Sequence, residues 1–247
     1  MRIGILGAGS IGTTLARKLA AAGHDVKVAN SRGPETIAAA TLETGARATT
    51  AQDAVHNVEV AILSMPQSAF ANVRQLVAGL PDQTVVIDTS NYFPQRDGVN
   101  PAIEAGKVES EWIQEYFGRP VVKAWNAIGT VPFAENGQPQ GHPDRVAIPV
   151  AGDREVDRNI AIGLMNDTGF DGYDAGMLAH SWRQQPGAPV YCTNLQYDEI
   201  ESALASAERE RLSTRRDLSV AIFTERLGSG ENPDAATIIR ISRALQM

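Results

Sequence analysis

Residues 5–33, ILGAGSIGTTLARKLAAAGHDVKVANSRG, carry three glycines in the spacing GxGxxG directly after a β-branched run: Gly7, Gly9 and Gly12. That spacing can seat a pyrophosphate. Gly7 permits a tight turn, Gly9 lets the backbone come close to the phosphates, and Gly12 lets a helix pack on the strand. Ser10 and Ile11 fall in the first turn of that helix, where unpaired N–H groups and a partial positive charge favour an anion. About 20 residues further on, an NAD site carries an Asp or Glu for the ribose hydroxyls, whereas this chain has Asn30, Ser31 and Arg32. A carboxylate there would repel a 2′-phosphate. Ser31 can donate to one, and Arg32 can pair with its oxygens or stack on adenine, so this ending selects NADP.

Further candidates follow the later β-branched runs, where an open α/β sheet binds its ligand. Ser64, Met65 and Pro66 follow VEVAILSM, Ser90 and Asn91 follow TVVIDTS, and Asn126 and Ile128 follow PVVKAWN. Met65 and Ile128 offer apolar surface to a nicotinamide or substrate ring. Asn91 and Asn126 can hold a carboxamide or a carbonyl, although each of these residues can equally serve as ordinary loop packing or turn capping. The run HSWRQQPGAPVY adds His180, Trp182 and Arg183 as substrate-binding candidates. Trp182 could stack on a planar substrate and Arg183 could meet an acidic tail; the plainer alternative is a helix end with Trp182 in the core. Hydride transfer between planar rings needs stacking and distance more than an acid or base, so no catalytic side chain is assigned. A carbonyl or imine substrate would need a proton donor, for which Lys123, His180 and Tyr191 are available. Lys123 and Asn126 are three apart at a predicted strand end, unlike the Lys and Asn four apart on a helix in β-hydroxyacid dehydrogenases. His24, His56 and His142 fall in predicted turns and suit solvent.

The elements that must position these residues alternate. RIGIL, DVKVAN, VEVAILSM, TVVIDTS and PVVKAWN read as buried parallel strands. Between the first two, Ile11, Leu15 and Leu19 recur at four-residue spacing beside Ala16 and Ala20, and Gly23 is placed to end that helix. PETIAAATLETG and SAFANVRQLVAGL read as further helices. After a Gly/Pro-rich loop at 135–144, RVAIPVAG and GFDGYDAG read as two more strands around the helix REVDRNIAIGLMNDT, extending the same sheet. The expected class is α/β: a doubly wound, mostly parallel sheet with right-handed crossovers and a small C-terminal helical lobe. The expected division is 1–192 for the NADP-binding domain with its sheet extension and 193–247 for the lobe. The lobe comprises YDEIESALASAERERLSTRRDLSVAIFTERLG and PDAATIIRISRALQM. Its Leu212, Leu218, Val220, Ile222, Phe223 and Leu227 exceed what a small lobe covers alone, which predicts a homodimer.

In a chain of 247 residues, 43% hydrophobic and 21% charged, a sizeable core is available. A net charge of -7 argues against a general nucleic-acid or anionic-membrane binder. The single cysteine, Cys192, excludes an intrachain disulfide and suggests a reducing cytoplasm, and no Cys/His cluster has metal-ligand spacing. The first apolar run leads straight into glycines and reads as a strand, not a leader. No run approaches the roughly 18 apolar residues of a membrane span.

With GAGSIGTTLARKLAAAGHDVKVANSRGPETI, DTSNYFPQRDG, VVKAWNAIG and HSWRQQPGAPVY in one chain, the sequence resembles the coenzyme F420-dependent NADP oxidoreductases up to about residue 192. More distantly it is similar to the cytosolic NADPH-binding domain of the six-transmembrane ferric reductases. The resemblance implies a Rossmann domain with a small C-terminal part, usually a dimer, passing hydride between NADPH and a deazaflavin or flavin. Where the deazaflavin enzymes carry a histidine and a proline in the segment matching WNAIG, this chain has Asn126 and Gly129. The expectation is a cytoplasmic NADP-dependent oxidoreductase acting on a planar redox acceptor: a flavin, F420 or a quinone-like ring. Reduction of a small carbonyl or imine compound, or cofactor sensing without catalysis, are the alternatives.

Overall fold

A computed structural model of the chain describes residues 1–227 and 234–247; the segment 228–233 of the expected lobe and the side chain of Leu227 lie outside the described residues. Eight strands form the sheet: β1 (Arg2–Leu6), β2 (Asp25–Ala29), β3 (Arg47–Ala48), β4 (Val60–Leu63), β5 (Val85–Asp88), β6 (Val122–Lys123), β7 (Ala147–Gly152) and β8 (Asp171–Asp174). Their order is β3-β2-β1-β4-β5-β6-β7-β8. Among the described strands only the β6–β7 pair is antiparallel. Three longer helices flank the sheet, α1 (Ser10–Ala21), α2 (Glu109–Phe117) and α3 (Glu155–Asp167), and two more, α4 (Leu212–Leu227) and α5 (Ala235–Gln246), belong to the C-terminal lobe.

Strand alternation sorts the side chains into two cores. Ile3, Ile5, Val26, Val28, Val60, Ile62, Val85 and Ile87 face Leu15 and Leu19 of α1 and Leu164 and Met165 of α3. Ala61, Leu63 and Val86 face the other way, toward Ile113 and Phe117 of α2. Central strands buried on both faces are what near-continuous β-branched runs encode. The result is the doubly wound Rossmann fold with a helical C-terminal lobe.

Four expected elements differ. PETIAAATLETG holds only a 3₁₀ turn at Pro34–Thr36 and one helical turn at Ala39–Leu42, because Ile37 between them is extended and buried in the first core. SAFANVRQLVAGL splits at Val73 into a 3₁₀ helix (Gln67–Asn72) and a short helix (Arg74–Ala78). PVVKAWN pairs only at Val122–Lys123, since the chain turns away through Trp125, whose φ of 56° is rare for a bulky residue. The long C-terminal helix is interrupted: Ile200–Ala205 and a 3₁₀ turn at Arg209–Arg211 precede α4. The two-residue β3 was not expected. None of the described helices is long and apolar enough to cross a membrane.

Candidate active site

The strand order reverses beside β1, which has β2 on one side and β4 on the other. Crossovers leave there in opposite directions and open a crevice at the strand ends. The glycine turn starts at Gly7, where φ is 113° and a Cβ would strike the Ser64 carbonyl. Gly12 is equally confined, since a Cβ there would strike the Gly7 carbonyl. Gly9 differs, because a Cβ built on it meets no atom within 4 Å. It opens onto the cleft just where α1 begins, and no side chain caps that helix. A phosphate pair therefore finds both space and unpaired N–H groups.

At the end of β2, Asn30 shapes the next loop: its Oδ1 accepts from the Arg32 backbone N–H (3.0 Å) and its Nδ2 donates to Thr36 Oγ1 (2.8 Å). Ser31 and Arg32 are exposed. The Arg32 guanidinium forms no ion pair with a described residue.

From the glycine turn a cleft of about 530 Å³ runs along the strand ends and gathers Gly9, Ser10, Ile11, Ser64, Met65, Pro66, Ser90, Asn91, Asn126 and Ile128. Two asparagines bolt its floor. Asn91 Nδ2 donates to the Asn126 carbonyl (2.9 Å), and Asn126 Nδ2 donates to the Gln184 carbonyl (2.8 Å) and, at 3.3 Å, to Asn91 Oδ1. Asn126 Oδ1 is buried with no partner, an acceptor left over for a ligand N–H.

The far wall comes from the lobe. Val220 and Phe223 of α4 and Ile238 and Ser242 of α5 close the cleft opposite the sheet. The Gln246 amide, turned with its nitrogen toward the loop, donates to the carbonyls of Tyr191 (2.8 Å) and Ala188 (2.7 Å) and fastens α5 to the main body. Val220 and Phe223 are two of the apolar residues from which the sequence predicts a dimer; the wall they form with Ile238 and Ser242 is not expected from it. Phe93 and Arg96, which also line the cleft, are not among the sequence candidates. Arg96 is the only charged residue among the described lining residues; it pairs with Asp97 (2.8 Å), donates to the Asn91 carbonyl (2.6 Å) and lies over the Phe93 ring.

His180, Trp182 and Arg183 are not brought to this cleft. Their 3₁₀ helix, Leu178–Gln184, packs on α2 and β7. Trp182 lies between Arg183 (4.3 Å from its ring centroid) and Arg209 (5.6 Å) and lines a second cleft of about 370 Å³, while His180 is exposed. Trp125 does not offer a stacking face: its ring is 1% exposed, and its Nε1 donates to Thr168 Oγ1 (3.2 Å). Lys123 is wholly buried behind Ser90 and Glu109. Tyr191 does line the cleft. Burial pushes its phenol well above the ordinary value, so it keeps its proton.

The family described as NADP oxidoreductase, coenzyme F420-dependent, matches residues 2–92, which span the glycine turn, the β2 ending and the first strand ends of the cleft. Over 110 residues the chain is 34% identical to the protein YjhV of Escherichia coli K12, covering 44% of this chain and 78% of YjhV. Among solved structures, the hypothetical protein SMa0349 of Sinorhizobium meliloti is 28% identical, with a TM-score of 0.66 over 79% of this chain and 95% of that one. A protein of Arthrobacter sp. FB24 described as an F420-dependent NADP-reductase shares the fold at 20% identity, with a TM-score of 0.57 over 90% of this chain and 94% of its own. The chain belongs to the family of coenzyme F420-dependent NADP oxidoreductases and is an NADP-dependent oxidoreductase.

Proposed function

We propose that the protein passes a hydride between NADP(H) and a planar acceptor of low charge, a flavin or quinone-like ring in preference to F420. The supporting observation is the lining of the acceptor end. Phe223, Val220, Ile238 and Ile128 are apolar, and Arg96, the one charged lining residue described, is already paired with Asp97. An acceptor with a phosphate and glutamate tail needs an electropositive track, and neither Lys123, which is wholly buried, nor Arg183, which donates to the Leu204 carbonyl, lines the cleft.

Bound NADPH supplies the hydride. The chain's own groups position it: Gly9 and the first turn of α1 take the pyrophosphate, Ser31 and Arg32 take the 2′-phosphate, and Asn91 with Asn126 Oδ1 takes the carboxamide. Met65 and Ile128 press on the rings, and the α4–α5 wall excludes water. Residues 1–192 hold the cofactor, and α4 and α5 of the C-terminal lobe cover the acceptor, in a reducing, cytoplasmic setting.

The test measures kcat/KM for FMN, FAD, simple quinones and F420 with NADPH. Flavins or quinones should equal or exceed F420. A preference for F420 above about a hundredfold, some 2.7 kcal/mol in the transition state, would overturn the choice of acceptor.

A further inference from the structure

Strand β5 ends at Asp88, and residues 89–93 after it have no regular secondary structure although Thr89, Ser90 and Tyr92 are buried. Buried backbone polar groups outside a helix or sheet need other partners. Here charged side chains supply them. Asp88 Oδ1 accepts from the Ser90 N–H (3.2 Å), Lys123 Nζ donates to the Ser90 carbonyl (3.4 Å), and Arg96 Nη2 donates to the Asn91 carbonyl (2.6 Å). Glu109 Oε2 accepts from the Tyr92 N–H (3.3 Å), and Asp97 Oδ2 accepts from the Phe93 N–H (3.0 Å). The segment is therefore tied from several directions at once: from the ends of β5 and β6, from the first residue of α2, and from the helical turn Pro94–Asp97.

Three of these side chains form one buried cluster. Asp88 and Lys123 are paired in register, so their side chains leave the same face of the sheet. Both are 0% exposed; Glu109 is 2% exposed and its Oε2 lies 3.4 Å from Lys123 Nζ. Such a cluster is costly. Burial pushes Asp88 up to about 6 and raises Glu109 as well, against the pull of Lys123 on both. Apolar side chains of similar volume are often as stabilising as buried ion pairs, or more so. What the charged groups add is a fixed backbone between them.

That backbone carries Asn91. Its Nδ2 donates to the Asn126 carbonyl (2.9 Å) and its Oδ1 accepts from Asn126 Nδ2 (3.3 Å), so the position of one asparagine sets that of the other. A shift of about 1 Å in a group that orients a reactant can cost about a hundredfold in rate.

We propose that Asp88, Lys123 and Glu109 are positioning residues for hydride transfer: by holding the backbone of Ser90 and Tyr92 on either side of Asn91, they fix the Asn91–Asn126 pair that seats the nicotinamide carboxamide. None of the three is among the described residues lining the main cleft, so each acts through the segment it holds. The adenosine end of the cofactor rests on other elements, Gly9 with the start of α1 and Arg32 after β2, and is independent of the cluster. The proposal rests on the cofactor placement given above but not on which acceptor is used.

Calorimetry on the whole protein with two ligands tests it: NADP, and adenosine 2′,5′-bisphosphate, which keeps the adenosine and the 2′-phosphate and lacks the nicotinamide. Removing either carboxylate leaves Lys123 paired with the other, so no unpaired buried charge results and the variants should fold; bisphosphate binding reports that they have. Asp88→Ala and Glu109→Ala should each weaken NADP about tenfold, lower kcat with the best acceptor about tenfold or more, and leave the bisphosphate within about twofold of wild type. Asp88→Asn and Glu109→Gln keep an acceptor oxygen for the Ser90 and Tyr92 N–H groups and should restore NADP affinity and kcat to within about threefold. Unchanged NADP affinity and kcat in both alanine variants, equal losses for NADP and the bisphosphate, or no restoration by Asn and Gln would each overturn the proposal. A wild-type protein that does not bind the bisphosphate faults the cofactor placement itself, and the proposal with it. Absence of turnover on every acceptor faults the hydride-transfer reading instead, and the affinities alone then decide the positioning.

Discussion

Arg32 stands on an exposed loop two residues beyond the Asn30 side chain that holds the loop's backbone. Fixing the backbone and leaving the guanidinium without a described ion-pair partner suits a group kept for a ligand phosphate. A charge-assisted hydrogen bond contributes about 1.5–3 kcal/mol, so Arg32→Ala should weaken NADPH roughly ten- to a hundredfold and leave NADH nearly unchanged by calorimetry. Equal losses for both cofactors would show that Arg32 does not read the 2′-phosphate. Asp88 makes the opposite kind of prediction. Its folded value, about 6, lies above its ordinary 3.8, so its contribution to stability is fully present below 3.8 and is lost as pH rises through 6. That loss is of order 3 kcal/mol. Urea unfolding should therefore show Asp88→Asn gaining on wild type by about that amount between pH 4 and pH 8, and a constant difference would refute the shift.

The start of α1 is the element whose role was most legible in the sequence. A phosphate cradle is local: the turn, the close packing and the helix start all fall within six residues, Gly7 to Gly12. Gly9→Val should abolish binding of both NADPH and NADH in a folded protein, since a Cβ there meets no atom of the protein within 4 Å and only the ligand would be displaced. Retained binding would remove the cradle from the site. The α4–α5 wall was not legible, for a physical reason. An amphipathic helix shows the same apolar surplus whether it covers a ligand cleft or a second subunit, and Val220 and Phe223 reach the cleft only through long-range packing. The short β6 was masked similarly, because VVKAWN has strand composition until Trp125 takes a left-handed conformation. Phe223→Ala opens the wall away from the glycine turn. It should raise the KM for the acceptor severalfold with the NADPH KM unchanged; parallel changes in both would mean that α4 does not face the acceptor.

At the scale of the whole molecule, the cleft takes Val220 and Phe223 out of the apolar surplus of the lobe, but it leaves Leu218 of α4 47% exposed, with Ile222 partly exposed on the same helix. An exposed leucine alone is ordinary. Leu218 has an apolar neighbour one turn away on a helix whose opposite side lines the cleft, so the expectation of a homodimer rests on a narrower patch than the sequence suggested. Each copy carries a net charge of -7, and association therefore works against like-charge repulsion that salt screens beyond about 10 Å at 0.1 M. Light scattering at micromolar concentration should give twice the chain mass, with a dimer fraction that rises as salt is added. Leu218→Glu should shift the protein to monomer and leave NADPH affinity intact, because Leu218 is not among the cleft-lining residues described. A monomer at all salt concentrations would assign the whole apolar surplus of the lobe to covering the cleft.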